Sequence, residues 1–160
     1  MRYLQFVAAT LVVVAWGCSP AQAPAQKQKV IGASLLTQGH QFYRDLVAAM
    51  ETEAQKQGFA LRIQYAEFQS PKQINQIETL VQQGVDALIV APCDSAGIAP
   101  TINDVASKGI PVFTADIAAH NANVTSHIAS DNVLGGKLIG EYLAKSLNGK
   151  GNVAIIDNAE

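Results

Sequence analysis

The chain has 160 residues, of which 49% are apolar and 15% are charged, and its formal net charge is −2. This composition is typical of a globular core and excludes a largely disordered chain. A small negative charge also argues against broad attraction to nucleic acid or to anionic lipid, so we expect no nucleic-acid partner.

The first 18 residues are predicted to be a signal peptide. Arg2 precedes an apolar run, residues 6–16, which is shorter than the roughly 20 residues that span a bilayer. The run closes on "AWGC", which resembles the lipobox of bacterial lipoproteins, with Ala15 where that pattern usually has Leu. We therefore expect Cys18 to carry a lipid anchor, with cleavage after Ala23 as the alternative. Either route predicts export to the periplasm or cell envelope.

Residues 19–29 contain only Ser, Pro, Ala, Gln and Lys, with no side chain suited to a core. Such a composition predicts a disordered tether. The tether would connect the membrane anchor to a folded domain that begins at Val30.

From Val30 onward, short apolar runs alternate with amphipathic segments of helical length. Gly58, Gly84 and Gly109 recur 26 and then 25 residues apart, each just before an apolar run, where glycine ends a helix in the left-handed conformation. The alternation predicts an α/β fold with a doubly wound parallel sheet. The predicted strands are residues 30–36, 60–67, 86–92, 111–116, 125–130 and 152–157.

In such sheets, ligands bind beyond the carboxyl ends of the strands. His40, Phe42 and Tyr43 follow the first strand, and Phe42 shares a helical period with Leu46, Ala49 and Met50. Successive helical residues point about 100° apart, so Phe42 and Tyr43 cannot both face the core. One ring is free for a ligand such as a sugar, unless both merely pack near the helix start.

Asp116 lies at the carboxyl end of the fourth predicted strand. Its carboxylate could accept two hydroxyl hydrogen bonds from a ligand, or it could cap the next segment. The three histidines lack the spacing of metal ligands, so no metal site is predicted, although His40 could donate to a ligand hydroxyl. Cys93 has no partner for a disulfide and is expected to be half-buried at a strand end.

The stretch "TSHIASDNVLGG" (residues 125–136) suggests catalysis, but its pattern argues against it. On a strand, Ser126 and His127 point to opposite faces, so they cannot form a nucleophile and base pair. The glycines lack the other residues of a phosphate loop, and no dinucleotide motif occurs, so no cofactor is expected. Asp131 or Ser130 is instead predicted to cap a helix that begins at Asn132 or Val133.

The segments "HQFYRDL", "APCDSAGI", "GIPVFTAD" and "SHIASDNVLGGK" resemble the ribose-type periplasmic sugar-binding proteins of ABC transporters, which have the type I periplasmic binding protein fold. The resemblance implies that Phe42 and Tyr43 stack on a sugar, that His40 hydrogen-bonds it and that Asp116 accepts from its hydroxyls. Ile117 stands where ribose binders have Arg, which leaves another pentose, a hexose or a polyol open.

Members of that family have two α/β lobes joined by three crossing strands, and they clamp the sugar between the lobes. The resemblance therefore implies a first lobe at residues 30–130, a hinge at Ser130, Asp131 and Asn132, and the start of a second lobe within residues 131–160. It also implies that this chain is an N-terminal piece. The apolar face of the helix in that second part is then expected to be exposed, at Leu138, Ile139 and Leu143.

These features predict a non-enzymatic protein that binds a sugar or polyol and delivers it to an ABC transporter permease. Three alternatives remain open at this stage. One is the effector-binding domain of a LacI-type transcription regulator, and another is a half-receptor that pairs with a second protein. The third is an α/β enzyme, for which only Asp116, His127 and Cys93 are candidate catalytic groups.

Overall fold

A computed structural model describes residues 27–156, in which five parallel strands form one sheet with helices on both faces. The strands are β1 (Val30–Leu35), β2 (Ala60–Tyr65), β3 (Ala87–Val90), β4 (Val112–Ala115) and β5 (Ser126–Ile128). The helices are α1 (Gln41–Gln57), α2 (Ser70–Gln82), α3 (Ala99–Ser107) and α4 (Asn132–Ser146). The sheet order is β2-β1-β3-β4-β5, and the predicted doubly wound α/β sheet is confirmed.

The three recurring glycines occupy the predicted left-handed positions between each helix and the next strand. Gly58, Gly84 and Gly109 have φ angles of +75°, +75° and +79°. A Cβ added at any of the three would meet no other atom within 4 Å, so the backbone conformation rather than lack of space requires glycine there.

The core lies in two layers, one on each face of the sheet. Helices α2 and α3 cover one face, and their buried residues with those of the strands are Ile77, Leu80, Leu88, Val90, Ile98, Ile102, Val105 and Val112. Helix α1 covers part of the other face, above Ala33, Leu35 and Ala91. The helices change sides between β1 and β3, which makes the adjacent ends of these strands the switch point at which doubly wound sheets bind ligands.

The buried face of α1 differs from the one that the sequence pattern predicts. Tyr43 and Ala54 are buried, and Leu46 and Met50 pack between them at helical spacing. Phe42, which the pattern places on that face, is 51% exposed. Tyr43 rather than Phe42 faces the sheet in the first turn of α1, because its ring packs in the core while its hydroxyl reaches the Asp116 carboxylate.

Helix α4 has no buried residue. Its start is as predicted, because the Asp131 side chain accepts a hydrogen bond of 2.8 Å from the amide of Leu134. The predicted exposure of its apolar face is confirmed, with Leu138, Ile139 and Leu143 at 56%, 56% and 40%. The strand predicted at 152–157 does not form over residues 152–156, which pair with none of β1 to β5.

The sheet face beside α1 remains partly open toward β5. An apolar groove of about 280 Å³ lies there, and its lining includes Met50, Ile89, Phe113 and Ile128. Ile128 is 67% exposed. Parallel sheets usually have both faces covered, and within residues 27–156 no helix covers this part of the face.

The predicted signal peptide, Cys18 and residues 19–26 of the tether lie outside the described residues. At the described end of the tether, the Lys29 ammonium forms an ion pair of 2.9 Å with Asp86. None of the helices within residues 27–156 combines the length and the hydropathy needed to cross a membrane.

Candidate functional site

The candidate site lies at the carboxyl ends of β1 to β4, among the three strand-to-helix loops after β1, β2 and β3 and the loop that joins β4 to β5. The loops after β3 and β4 are joined by a hydrogen bond of 2.7 Å from the His120 amide to the Ser95 carbonyl. Asp94 shapes the loop after β3, because its carboxylate accepts from the amides of Ala96 and Gly97 at 3.0 and 2.8 Å. These hydrogen bonds fix the loop after β3 and tie it to the loop after β4 at this edge of the sheet.

Asp116 and Tyr43 are brought together although they lie 73 residues apart. The Tyr43 hydroxyl donates a 2.8 Å hydrogen bond to Oδ2 of Asp116. Burial, followed by this hydrogen bond, raises the pKa of Tyr43, so its hydroxyl stays protonated as a donor. Within residues 27–156, Oδ1 of Asp116 accepts no hydrogen bond, which leaves this half-buried carboxylate with free acceptor capacity.

The backbone at Asp116, directly after β4, adopts an unusual conformation. Its φ angle is +68°, in the left-handed region that Asp and Asn tolerate better than most other residues. The Asp116 amide donates to the Ile128 carbonyl at 2.9 Å, which fixes this turn on β5. Outliers of this kind are concentrated at functional sites.

Phe42 and His40 are the exposed members of the predicted set. Phe42 meets Tyr43 edge to face, with ring centroids 5.2 Å apart, and presents half of its surface to solvent. His40 is exposed at the N-cap of α1, and its ring lies 5.5 Å from that of Phe68. Phe42 is thus the ring available for stacking on a ligand, while Tyr43 lies beneath it and supports Asp116. The binding roles of all four residues stay a prediction.

The loop after β1, residues 36–40, is held from two sides. The Thr37 hydroxyl donates to Oε2 of Glu67 at 2.6 Å, and the Gln38 amide donates to Oε1 at 3.2 Å. These two hydrogen bonds, that of the hydroxyl first, lower the pKa of Glu67. From the other side, the Arg44 guanidinium donates to the carbonyls of Gln38 and Gly39 at 3.0 and 2.7 Å. The loop that carries His40 is therefore fixed by charge-assisted bonds.

Gln73 is a fully buried residue that the sequence pattern did not single out. Its amide nitrogen donates to the Ala91 carbonyl at 2.8 Å, and its Oε1 accepts from the Cys93 amide at 2.8 Å. The side chain thereby fixes the end of β3 beneath the site. Its place on the inward face of α2, four residues before Ile77, is the signal that could have identified it.

The three candidates for catalysis do not form one cluster. His127 Nδ1 lies 2.9 Å from the hydroxyl of Thr114, its partner across β4 and β5. Cys93 is half-buried three residues after β3, as expected, and burial raises the pKa of its thiol. Among the described residues, no hydrogen bond joins His127, Cys93 and Asp116, and no group of three His, Cys, Asp or Glu side chains could hold a metal ion.

The chain matches a family model described as a periplasmic binding protein domain, over residues 31–160. It is similar to the ribose import binding protein RbsB of Bacillus subtilis (strain 168), with 38% identity covering 82% of this chain and 43% of the relative. It is also similar to RbsB of Escherichia coli (strain K12), with 33% identity covering 86% of this chain and 46% of the relative. The chain therefore spans less than half the length of these curated relatives.

Solved structures share the fold described above. One is an ABC transporter solute-binding protein from Clostridium phytofermentans with bound β-D-glucose, at a TM-score of 0.72 and 26% identity, covering 75% of this chain and 37% of that protein. Another is the Caulobacter myo-inositol binding protein bound to myo-inositol, at a TM-score of 0.71 and 27% identity, covering 79% and 43%.

Proposed function

The chain belongs to the periplasmic binding protein domain family, and on that basis we propose that it forms the first, sugar-binding lobe of a solute-binding protein that serves an ABC transporter. The ligand is a sugar or polyol, and the site comprises His40, Phe42, Tyr43 and Asp116. No bond in the ligand is made or broken. The relatives named above are transport binding proteins, which favours this function over that of a transcription regulator.

The observation that carries the proposal is the combination of a free carboxylate oxygen with an exposed aromatic ring at one edge of the sheet. Asp116 offers Oδ1 to ligand hydroxyls while Tyr43 holds Oδ2. Phe42 offers an apolar face, which suits the C–H groups of a sugar or cyclic polyol. An acceptor beside an apolar ring recognises both kinds of surface on such a ligand.

In the mechanism we propose, the lobe at residues 30–130 moves against a second lobe that begins within residues 131–160. The hinge is the segment Ser130 to Asn132, between the end of β5 and the start of α4. Ligand contacts from both lobes favour the closed form, because the ligand can shift the equilibrium only by binding that form more tightly. The closed protein then delivers the ligand to a membrane permease in the periplasm.

We further propose that a lipid on Cys18 anchors the mature protein and that residues 19–29 form the tether. Incorporation of labelled palmitate in cells would test this, and a Cys18→Ser variant should lose the label and leave the membrane fraction. A Cys93→Ser variant is the matched control and should keep both. Equal labelling of the Cys18→Ser variant would contradict the proposal.

Sugar binding can be tested by nuclear magnetic resonance titration of the purified protein at millimolar ligand concentrations. The panel comprises D-ribose, D-glucose, D-galactose, myo-inositol, xylitol and D-sorbitol. We expect weak binding of at least one ligand, with shifts at His40, Phe42 and Asp116. Absence of binding across the panel would contradict the function, and micromolar affinity would contradict clamping between two lobes.

The role of Asp116 is tested separately by the Asp116→Asn variant. Asn tolerates the left-handed backbone at this position, so the variant should keep the fold. It removes the negative charge, which weakens the hydrogen bonds to the ligand by about 1–2 kcal/mol, and the affinity should therefore fall about tenfold. Asp104→Asn, at an exposed position of α3, is the control and should bind like the wild type. If the two variants bind equally well, Asp116 is not a ligand residue.

A further inference from the structure

Phe68, three residues after the end of β2, has a backbone conformation and an exposure that are unfavourable for an aromatic residue. Its φ angle is +60° and that of Glu67 is +52°, so two successive residues adopt the left-handed conformation. This conformation is a clear outlier for a bulky aromatic residue. Phe68 is also 57% exposed, so its ring gains little from burial. A strained and exposed aromatic side chain at a ligand-binding edge suggests a role other than packing.

The strained pair is held by contacts with the loop after β1. The Glu67 carboxylate accepts from the Thr37 hydroxyl at 2.6 Å and from the Gln38 amide at 3.2 Å. The Phe68 amide donates to the Leu36 carbonyl at 3.2 Å. Three hydrogen bonds thus fix the position from which the Phe68 ring projects.

The ring of Phe68 adjoins the candidate site. Its centroid lies 5.5 Å from that of His40, with 63° between the ring planes. Strand β2 is the neighbour of β1 and lies on the side away from β4, which leads to Asp116. Phe68 therefore extends the site at the end opposite to the acceptor carboxylate, beside a residue that the site already contains.

We propose that Phe68 contacts the ligand and selects ring-form sugars and cyclic polyols over acyclic polyols. This inference rests on the proposed function. A ring-form sugar presents a face of C–H groups that can lie flat on an aromatic side chain, whereas an acyclic polyol loses conformational freedom to present such a face. The strain at residue 68 is then maintained because it places the aromatic surface beside His40.

The test compares affinities of the purified protein and its Phe68→Ala variant across the ligand panel above. The variant should bind D-glucose or myo-inositol at least about threefold more weakly, with the affinity for xylitol and D-sorbitol unchanged. Phe59→Ala is the matched control, because Phe59 is 39% exposed at the other end of β2, and this variant should bind like the wild type. If the wild type binds ring-form ligands and Phe68→Ala binds them equally well, the inference is wrong and the proposed function stands. If the wild type binds no member of the panel, both are wrong.

A Phe68→Gly variant distinguishes ligand contact from a packing role. Glycine adopts the left-handed conformation without strain, so its Tm should be no lower than that of the wild type, while its affinity for ring-form ligands falls as in Phe68→Ala. If Phe68 serves only to support His40, Tm and affinity should fall together, and that result would overturn the inference.

Discussion

Replacing Gln73 by Leu should destabilise the lobe although it exchanges a polar side chain for an apolar one of similar size. The substitution leaves the Ala91 carbonyl and the Cys93 amide without their 2.8 Å partners in a fully buried place. Each unsatisfied group costs about 1–3 kcal/mol, and the greater apolar burial of Leu offsets roughly 2 kcal/mol of that sum. We expect a net loss of about 2 kcal/mol in the free energy of unfolding.

Urea denaturation followed by circular dichroism would measure this loss, with a fall in Tm of about 6–10 °C as an independent readout. Gln82→Leu, at the exposed end of the same helix, is the control and should change the stability by less than about 0.5 kcal/mol. A Gln73→Leu variant as stable as the wild type would refute this prediction. The two hydrogen bonds of Gln73 would then contribute no more to stability than it costs to remove their polar groups from water.

Further predictions concern the backbone, the acid range and the open surface. Gly84→Ala should lower the free energy of unfolding by about 1 kcal/mol in urea denaturation, because φ is +75°, whereas Gly135→Ala should increase the helix signal in circular dichroism. The hydrogen bond from the Thr37 hydroxyl lowers the pKa of Glu67. The stability that the ionised Glu67 contributes is therefore complete above the ordinary pKa of a glutamate and is lost as the pH falls through the lowered pKa. The protection factor of the Gln38 amide, which is its exchange rate relative to that of an unstructured amide at the same pH, should therefore fall in acid, and a Glu67→Gln variant should lack that transition. The exposed apolar face of α4 should cause self-association at high protein concentration, and Ile139→Glu should reduce it in analytical ultracentrifugation without lowering Tm. A lower Tm would show that α4 packs on the lobe.

The alternation of strands and helices could be predicted from the sequence because it depends on local patterns. Parallel strands buried on both faces form continuous apolar runs, and Gly58, Gly84 and Gly109 mark the helix ends through a conformation that other residues resist. Asp131 as the helix cap follows from the same kind of local rule. These features require no knowledge of what packs against them.

Features that depend on long-range contacts could not be predicted in this way. Tyr43 rather than Phe42 faces the core because its hydroxyl meets Asp116, 73 residues further along the chain. Gln73 bonds to the end of β3, and Phe68 is positioned by the loop after β1. Helical spacing gives no information on such partners, so a polar or aromatic residue at these positions is ambiguous until the strands are assembled.

The exposure of α4 has a consequence for its helix–coil equilibrium. The helix has 15 residues, none of them buried, and it contains Gly135, Gly136 and Gly140. Isolated helices of this length are marginal in water, and each glycine disfavours the helix by about 1 kcal/mol relative to alanine. The amides of α4 should therefore exchange with solvent far faster than those of β1 and β3, which require global unfolding to open. Any surface that covers Leu138 and Ile139 would then supply the free energy of folding for this helix, and docking and helix formation would occur as one coupled step.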